Sequence, residues 1–298
     1  MTPPTPTRPD LNAPARRGLG RRGLLRASLH AGLLGALGPL AALRPRTARA
    51  AAPRVLLLGD SMIAGALGLF LERRLRDDHG YEVQRYGKSS TGLARPDFFS
   101  WTKEAQRQIE AFPDPDAVVA MFGGNDVQGL YMGRPEGPRG KRGPAQWITW
   151  HDEGWRHEYA RRITEFADIV APDGRLLFWI GMPVMRPEKF HERVRKVNLI
   201  ARAEMAIRPG GRFVDIWRLL ADDAGNYADR IALAEDADAA AEGQATKPKA
   251  KKVRVRAGDG IHLSVAGANV VEAHVREKIV AELGAAGDDA AADAAVGA

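Results

Sequence analysis

The run Val55-Leu56-Leu57-Leu58, preceded by Pro53 and cut off by Gly59, constrains this chain more than any other feature. A short run with no polar face has nothing to give to water, so it reads as a strand buried on both sides, the situation of a parallel sheet. The residues that follow, from Met62 to about Leu75, place Leu67, Phe70, Leu71 and Leu75 at helical spacing. The unit is therefore strand, tight turn, helix, with Asp60 and Ser61 at the turn. Residues at the carboxyl end of such a strand face the ligand side of an open α/β sheet. Asp60 and Ser61 are also common helix caps, so this stretch alone leaves their role open between capping and chemistry.

The same unit recurs along the chain. Tyr81 to Tyr86 reads as a second strand, ending in the small-residue loop Gly87-Lys88-Ser89-Ser90-Thr91-Gly92. Trp101 to Phe112 reads as a helix with Trp101, Ala105, Ile109 and Phe112 on one face. Asp116 to Phe122 is a third, central strand that stops at Gly123-Gly124-Asn125-Asp126. Trp155 to Val170 and Glu188 to Ile207 read as helices, and Arg175 to Ile180 and Arg212 to Trp217 as the fourth and fifth strands. This alternation predicts a three-layer α/β/α sandwich around a doubly wound, mostly five-stranded parallel sheet of the flavodoxin type.

Between the third strand and the next helix, residues 127 to 154 form a long Gly-, Pro- and Arg-rich connection read as a loop without structure of its own. Its Trp147 and Trp150 are candidates for stacking on sugar rings, and Arg186 is a further candidate substrate contact. Arg139, Lys141 and Arg142 suit either an anionic polymer or a solvated surface. From 234 to 252 the composition collapses to Ala, Asp, Glu, Lys and Gln, a low-complexity insertion, and residues 284–298 read as a flexible tail.

The first fifty residues are excluded from the fold. Arg21-Arg22-Gly23-Leu24-Leu25-Arg26 precedes a charge-free run from Ala27 to Leu43 and the small-x-small site Ala48-Arg49-Ala50, which reads as a cleaved twin-arginine export signal over 1–50. The expected partner during export is the twin-arginine translocase, and the expected location is periplasmic or extracellular, with no membrane span after cleavage. Residues 1–50 hold nine arginines and one acid, a net of +8, so the whole-chain +7 becomes about −1 for residues 51–298. A balance near zero removes the electrostatic case for nucleic-acid binding. The chain has no cysteine, which excludes disulfides and thiolate metal sites.

Gly258-Asp259-Gly260-Ile261-His262 stands apart from the other histidine contexts. Asp and His three residues apart can set a carboxylate against one imidazole nitrogen and leave the other free, the pair that a weakly nucleophilic serine needs. Taken together, Gly59-Asp60-Ser61, a glycine at Gly92, Gly123-Gly124-Asn125-Asp126 and Asp259-Gly260-Ile261-His262 occur in the order found in the SGNH (GDSL-type) hydrolase superfamily. The chain resembles an exported branch related to polysaccharide O-acetyl esterases and transferases. Met62 stands where that family often has leucine, and both Gly87 and Gly92 could fill the glycine block.

The resemblance implies the SGNH hydrolase fold for residues 51–283 and a serine esterase acting on acylated carbohydrate or a small ester, without a cofactor or metal. Ser61 would be the nucleophile, His262 the base and Asp259 its orienter. The Ser61 and Gly92 N–H groups and the Asn125 side chain would form the oxyanion hole, with Asp60 and Asp126 fixing their turns. An acyltransferase shares the same acyl-enzyme. A metallophosphoesterase using Asp60, Asn125, Asp126 and His262 leaves Ser61 without a task, and a non-catalytic glycan-binding protein needs none of the triad.

Overall fold

The computed structural model describes residues 51–232 and 251–296, with side chains through residue 285. The export-signal reading of 1–50 and most of the low-complexity reading of 234–252 lie outside the described residues. No helix among the described residues is long and apolar enough to cross a membrane.

Five strands form one parallel sheet: β1 (Arg54–Gly59), β2 (Glu82–Gly87), β3 (Ala117–Met121), β6 (Leu176–Ile180) and β7 (Gly211–Val214), in the spatial order β2-β1-β3-β6-β7. Every residue from Val55 to Leu58 and from Ala117 to Met121 is buried, as the apolar runs require of central strands. The edge strand β2 is the polar one, with no fully buried residue. Helices form two groups: α2 (Ala66–Asp77) packs on the C-terminal α6 (Val265–Val296), and α3 (Trp101–Ala111), α4 (Gly154–Val170) and α5 (Glu188–Ala206) pack in series. With the central strands buried on both pleat faces, one group covers each, and the sandwich is three-layered as expected.

An aromatic knot fixes the site end of β3. The Phe122 ring lies 4.7 Å from Trp101, 5.1 Å from Phe166 and 5.6 Å from Trp179, which ties the strand end to α3, α4 and β6 at once. Edge and tilted contacts of this kind add ~1 kcal/mol each beyond their area. The loop that follows β3 therefore starts from a rigid point.

Several boundaries differ from expectation, each for a local reason. The helix expected from Met62 is split into α1 (Ser61–Ala64) and α2, because Gly65 adopts an extended backbone between them. The fifth strand stops at Val214 instead of Trp217, where the Asp215 carboxylate accepts the Trp217 N–H at 2.8 Å and turns the chain. The 127–154 connection is not structureless. Within it β4 (Leu130–Gly133) and β5 (Gln146–Ile148) pair antiparallel. Lys252, placed in the low-complexity insertion, belongs instead to β9 (Lys252–Arg254), which pairs with β8 (Arg230–Ala232). Residues 284–296, expected as a flexible tail, continue α6.

Candidate active site

Ser61 is the first residue of α1, one residue beyond Asp60 and two beyond the end of β1. The turn is set by Asp60, whose N–H donates to the Met121 carbonyl at 3.1 Å and whose Oδ1 accepts the Met62 N–H at 2.9 Å. The first bond stitches the end of β1 to the end of β3; the second caps the helix. Ser61 therefore leaves the sheet at a fixed angle, with its side chain partly exposed.

His262 comes to it across 201 residues of sequence, with Nε2 2.9 Å from Ser61 Oγ. Its Nδ1 lies 2.6 Å from Asp259 Oδ2, and Asp259 Oδ1 accepts the N–H groups of Ile261 (2.8 Å) and His262 (3.0 Å). Burial pushes the Asp259 carboxyl up, but the His262 hydrogen bond and these two N–H donors outweigh it and hold it down at about 2. An ionised carboxylate only accepts, so Nδ1 carries the imidazole proton and Nε2 presents its lone pair to the Ser61 hydroxyl.

The loop bearing this pair is held from two sides. Arg256, fully buried, donates through Nη2 to the carbonyls of Gly260 (3.3 Å) and Ile261 (3.1 Å), and its guanidinium lies 5.3 Å from the Tyr227 ring centroid. Its Nε and Nη1 are buried without a partner among the described residues. Desolvation lowers the pKa of Arg256, opposed by Tyr227, Asp259 and Asp229. From the other side, Arg186 donates its backbone N–H to Gly260 O (3.2 Å) and Nη2 to Gly258 O (2.8 Å). Arg186, expected at the substrate, is engaged as a buttress of the Asp259–His262 loop.

The remaining blocks meet at the ends of β2 and β3. Gly59 pairs with Gly87 on one side and Met121 on the other, so the loops after all three strands leave from the same edge of the sheet. Asn125 Nδ2 donates to the Thr91 carbonyl at 2.8 Å, which fixes the amide beside Gly92 and leaves its second hydrogen uncommitted. Thr91 is itself tied down, accepting the Trp101 indole N–H at 3.0 Å and donating to Lys88 O at 2.6 Å. A Cβ on Gly92 would lie 2.2 Å from Asp126 Oδ1, so only glycine lets these two loops touch. Of the two candidate glycines, Gly92 is the one placed against the Asn125-Asp126 block; a Cβ on Gly87 would instead strike the backbone of Ala64.

Beneath the turn lie two fully buried carboxyls. Asp126 accepts from the Ala94 N–H at 2.8 Å and the Tyr159 hydroxyl at 2.9 Å. Burial pushes Asp60 up to about 7, against the Met62 N–H and reinforced by the charge of Asp126; burial likewise raises Asp126 to about 6, against its hydrogen bonds from Ala94 and Tyr159. Both serve the turns, Asp126 accepting through both oxygens and Asp60 through Oδ1. Among the described residues, no three His, Cys, Asp or Glu side chains gather at metal-binding spacing.

The two tryptophans part company. Trp150 packs against Trp155 (4.3 Å) with Lys196 4.6 Å and Arg193 5.2 Å from its centroid, so its faces are occupied within the protein. Trp147, on β5, is 42% exposed and borders Arg95. Tyr159, Arg162 and Arg256 had no local sequence signal. Tyr159 and Arg162 sit in the amphipathic pattern of α4 and reveal themselves only by contacts across about thirty residues or more, such as Arg162 Nη1 to Leu93 O at 2.8 Å.

A family profile described as "Protein of unknown function (DUF459)" matches residues 54–278, which spans the sheet, the Ser61 turn and the Asp259–His262 loop. The chain belongs to this DUF459 family. Among curated proteins, none matches the sequence. Among solved structures, the DUF459 chain is similar to an α/β hydrolase enzyme from the metagenome of Lake Arreo, Spain (16% identity, TM-score 0.47, covering 75% of this chain and 94% of that one). It is also similar to a carbohydrate acetylesterase from Sinorhizobium meliloti (14%, TM-score 0.45, 77% and 99%) and to the aryl esterase of M. smegmatis (14%, TM-score 0.48, 77% and 99%).

Proposed function

We propose that this protein is a serine ester hydrolase acting through an acyl-enzyme on Ser61. The observation that carries the proposal is the unbroken line Asp259–His262–Ser61, with heavy-atom distances of 2.6 and 2.9 Å. A serine hydroxyl at its own pKa is a poor nucleophile, and a base 2.9 Å away in the correct tautomer is what activates it.

In the first half-reaction Ser61 Oγ bonds to the ester carbonyl carbon as its proton passes to His262 Nε2. The imidazolium is stabilised by the Asp259 carboxylate. The carbon–alkoxide bond then breaks, and Nε2 returns the proton to the leaving alcohol. Water repeats the sequence on the acyl-Ser61, releasing the carboxylic acid. The developing oxyanion is assigned to the Ser61 and Gly92 N–H groups and the free Asn125 amide hydrogen; each such donor contributes ~3 kcal/mol in the transition state.

We assign the substrate as an acyl, chiefly acetyl, ester on a cell-envelope carbohydrate. The carbohydrate rests on the inferred location, since the twin-arginine reading of Arg21-Arg22 puts the protein outside the cytoplasm. N-terminal sequencing of the exported protein is expected to begin at Ala51; a chain starting at Met1 in the outer compartment overturns cleavage.

The decisive experiment for the chemistry is covalent trapping. Purified protein is expected to hydrolyse p-nitrophenyl acetate, to keep its rate in EDTA, and to take up one equivalent of a fluorophosphonate on the peptide containing Ser61. Labelling elsewhere, or activity lost to EDTA and restored by a divalent cation, sinks the serine mechanism and favours the metal-dependent reading.

A further inference from the structure

A cavity of about 240 Å³ opens beside the assigned oxyanion donors, lined by Gly92 and Asn125 together with Ser90, Arg95, Phe98 and Gln128. That volume lies below the usual range for drug-sized ligands, roughly 300–1,000 Å³. It suits one ring and an acetyl group.

Two exposed aromatic side chains belong to this region: Phe98 in the cavity wall, and Trp147 against the wall residue Arg95. Phe98 is 64% exposed and Trp147 42%, among the few large hydrophobic side chains left uncovered. Arg95 meets Trp147 with its side chain and Phe98 through the backbone. The Trp147 ring centroid is 5.0 Å from the Arg95 guanidinium carbon, and the Phe98 N–H donates to Arg95 O at 3.0 Å. The guanidinium is gripped by Asp97 through two parallel bonds, Nε to Oδ1 at 2.8 Å and Nη2 to Oδ2 at 2.9 Å. This pairing fixes the orientation of both groups and cancels their charge, while leaving guanidinium hydrogens and carboxylate lone pairs for further bonds.

Phe98, exposed, and Trp147, 42% exposed although one side of its ring meets Arg95, stand beside a fixed, neutral donor–acceptor pair, a combination that matches the chemistry of a pyranose ring, whose C–H face stacks and whose hydroxyls both donate and accept. Resting on the esterase reading above, we infer that Phe98, Trp147 and the Arg95–Asp97 pair form the carbohydrate subsite of this enzyme, and that the sugar it takes is neutral. Because Arg95 is already neutralised by Asp97, a uronic acid finds no free cation in this pocket. The ester-bearing ring enters the cavity beside Asn125, and the neighbouring rings of the chain lie across Phe98 and Trp147.

The test compares wild type, Phe98→Ala, Phe98→Tyr and Trp147→Ala on partially acetylated cello-oligosaccharides, partially acetylated oligogalacturonides and ethyl acetate. The ratio of kcat/KM on the cello-oligosaccharide to that on ethyl acetate is expected to fall about tenfold in each alanine variant, mainly through KM, and to recover in Phe98→Tyr. A ratio left unchanged while Ser61-dependent hydrolysis persists overturns the subsite and spares the esterase reading. A preference for the oligogalacturonide overturns the neutral assignment. Should no ester be hydrolysed, the esterase reading fails, and the subsite is judged by binding alone. In that case, cello-oligosaccharide should shift the Trp147 indole N–H resonance of the whole protein, and an unmoved resonance overturns the subsite as well.

Discussion

Ser61→Ala is expected to lower kcat on p-nitrophenyl acetate by about 10⁶, and Asp259→Asn by about 10⁴, with the fold intact in both. The two numbers differ for a physical reason. Removing Oγ removes the atom that forms the acyl bond. Removing the charge of Asp259 keeps the loop in place but lets the side-chain amide donate to Nδ1, which moves the imidazole proton to Nε2 and points a hydrogen instead of a lone pair at Ser61. Asp259 accepts three hydrogen bonds, from Nδ1 of His262 and from two backbone N–H groups, and the Asn carbonyl can keep only part of that set. The double variant should be little worse than Ser61→Ala alone, since the groups act as one unit. Circular dichroism and steady-state kinetics on the three variants check this. If Asp259→Asn retains wild-type kcat, the carboxylate does not set the tautomer and the triad assignment fails.

How much of this was legible in the sequence depends on whether a feature is local. The central strands β1 and β3 were legible because Val55–Leu58 and Ala117–Met121 must be buried on both faces, and a chain spells that as an unbroken apolar run. The β4–β5 hairpin was not legible. Its second strand is only Gln146–Ile148, it lies among glycines and prolines, and its pairing shifts register between Tyr131 and Gly133, so no alternation of period two survives. The break at Gly65 was hidden because glycine is tolerated inside a helical pattern, and nothing local says when it will be used as a stop.

The same rule divides the site. Ser61, Asn125, Asp259 and His262 could be found because each sits in a short block with distinctive neighbours. Tyr159 could not, because it acts on a carboxyl in another part of the chain, and Arg256 could not, because its nearby carbonyl partners are met only through a turn of the loop that no residue pattern marks. Arg186 shows a role that its sequence context does not announce: its backbone N–H and Nη2 brace Gly260 and Gly258 from an otherwise exposed side chain.

Asp60→Asn is expected to stabilise the protein at alkaline pH and to have little effect at acid pH. The wild-type carboxyl is raised from the ordinary 3.8 to about 7, chiefly by burial. A raised carboxyl pKa means that the folded state binds the proton more tightly than the unfolded chain, so between those two values the unfolded state is the one that has lost its proton. The stabilising contribution of the protonated form is therefore complete below 3.8 and drains away as the pH climbs through about 7. At one unit per 1.36 kcal/mol, the full shift amounts to on the order of 4 kcal/mol for this fully buried group. Asparagine keeps an oxygen to cap the Met62 N–H and never ionises. Urea denaturation followed by circular dichroism at about pH 5 and about pH 8 should show the gap between variant and wild type opening with pH, because only wild type loses the bound proton. The activity of the variant reads a second consequence. Asp60 N–H still ties β1 to the Met121 carbonyl, so Ser61 should leave the sheet at the same angle and kcat should change by less than about tenfold. A variant destabilised equally at both pH values would show that the lost carboxyl oxygen, and not its buried charge, dominates at this turn.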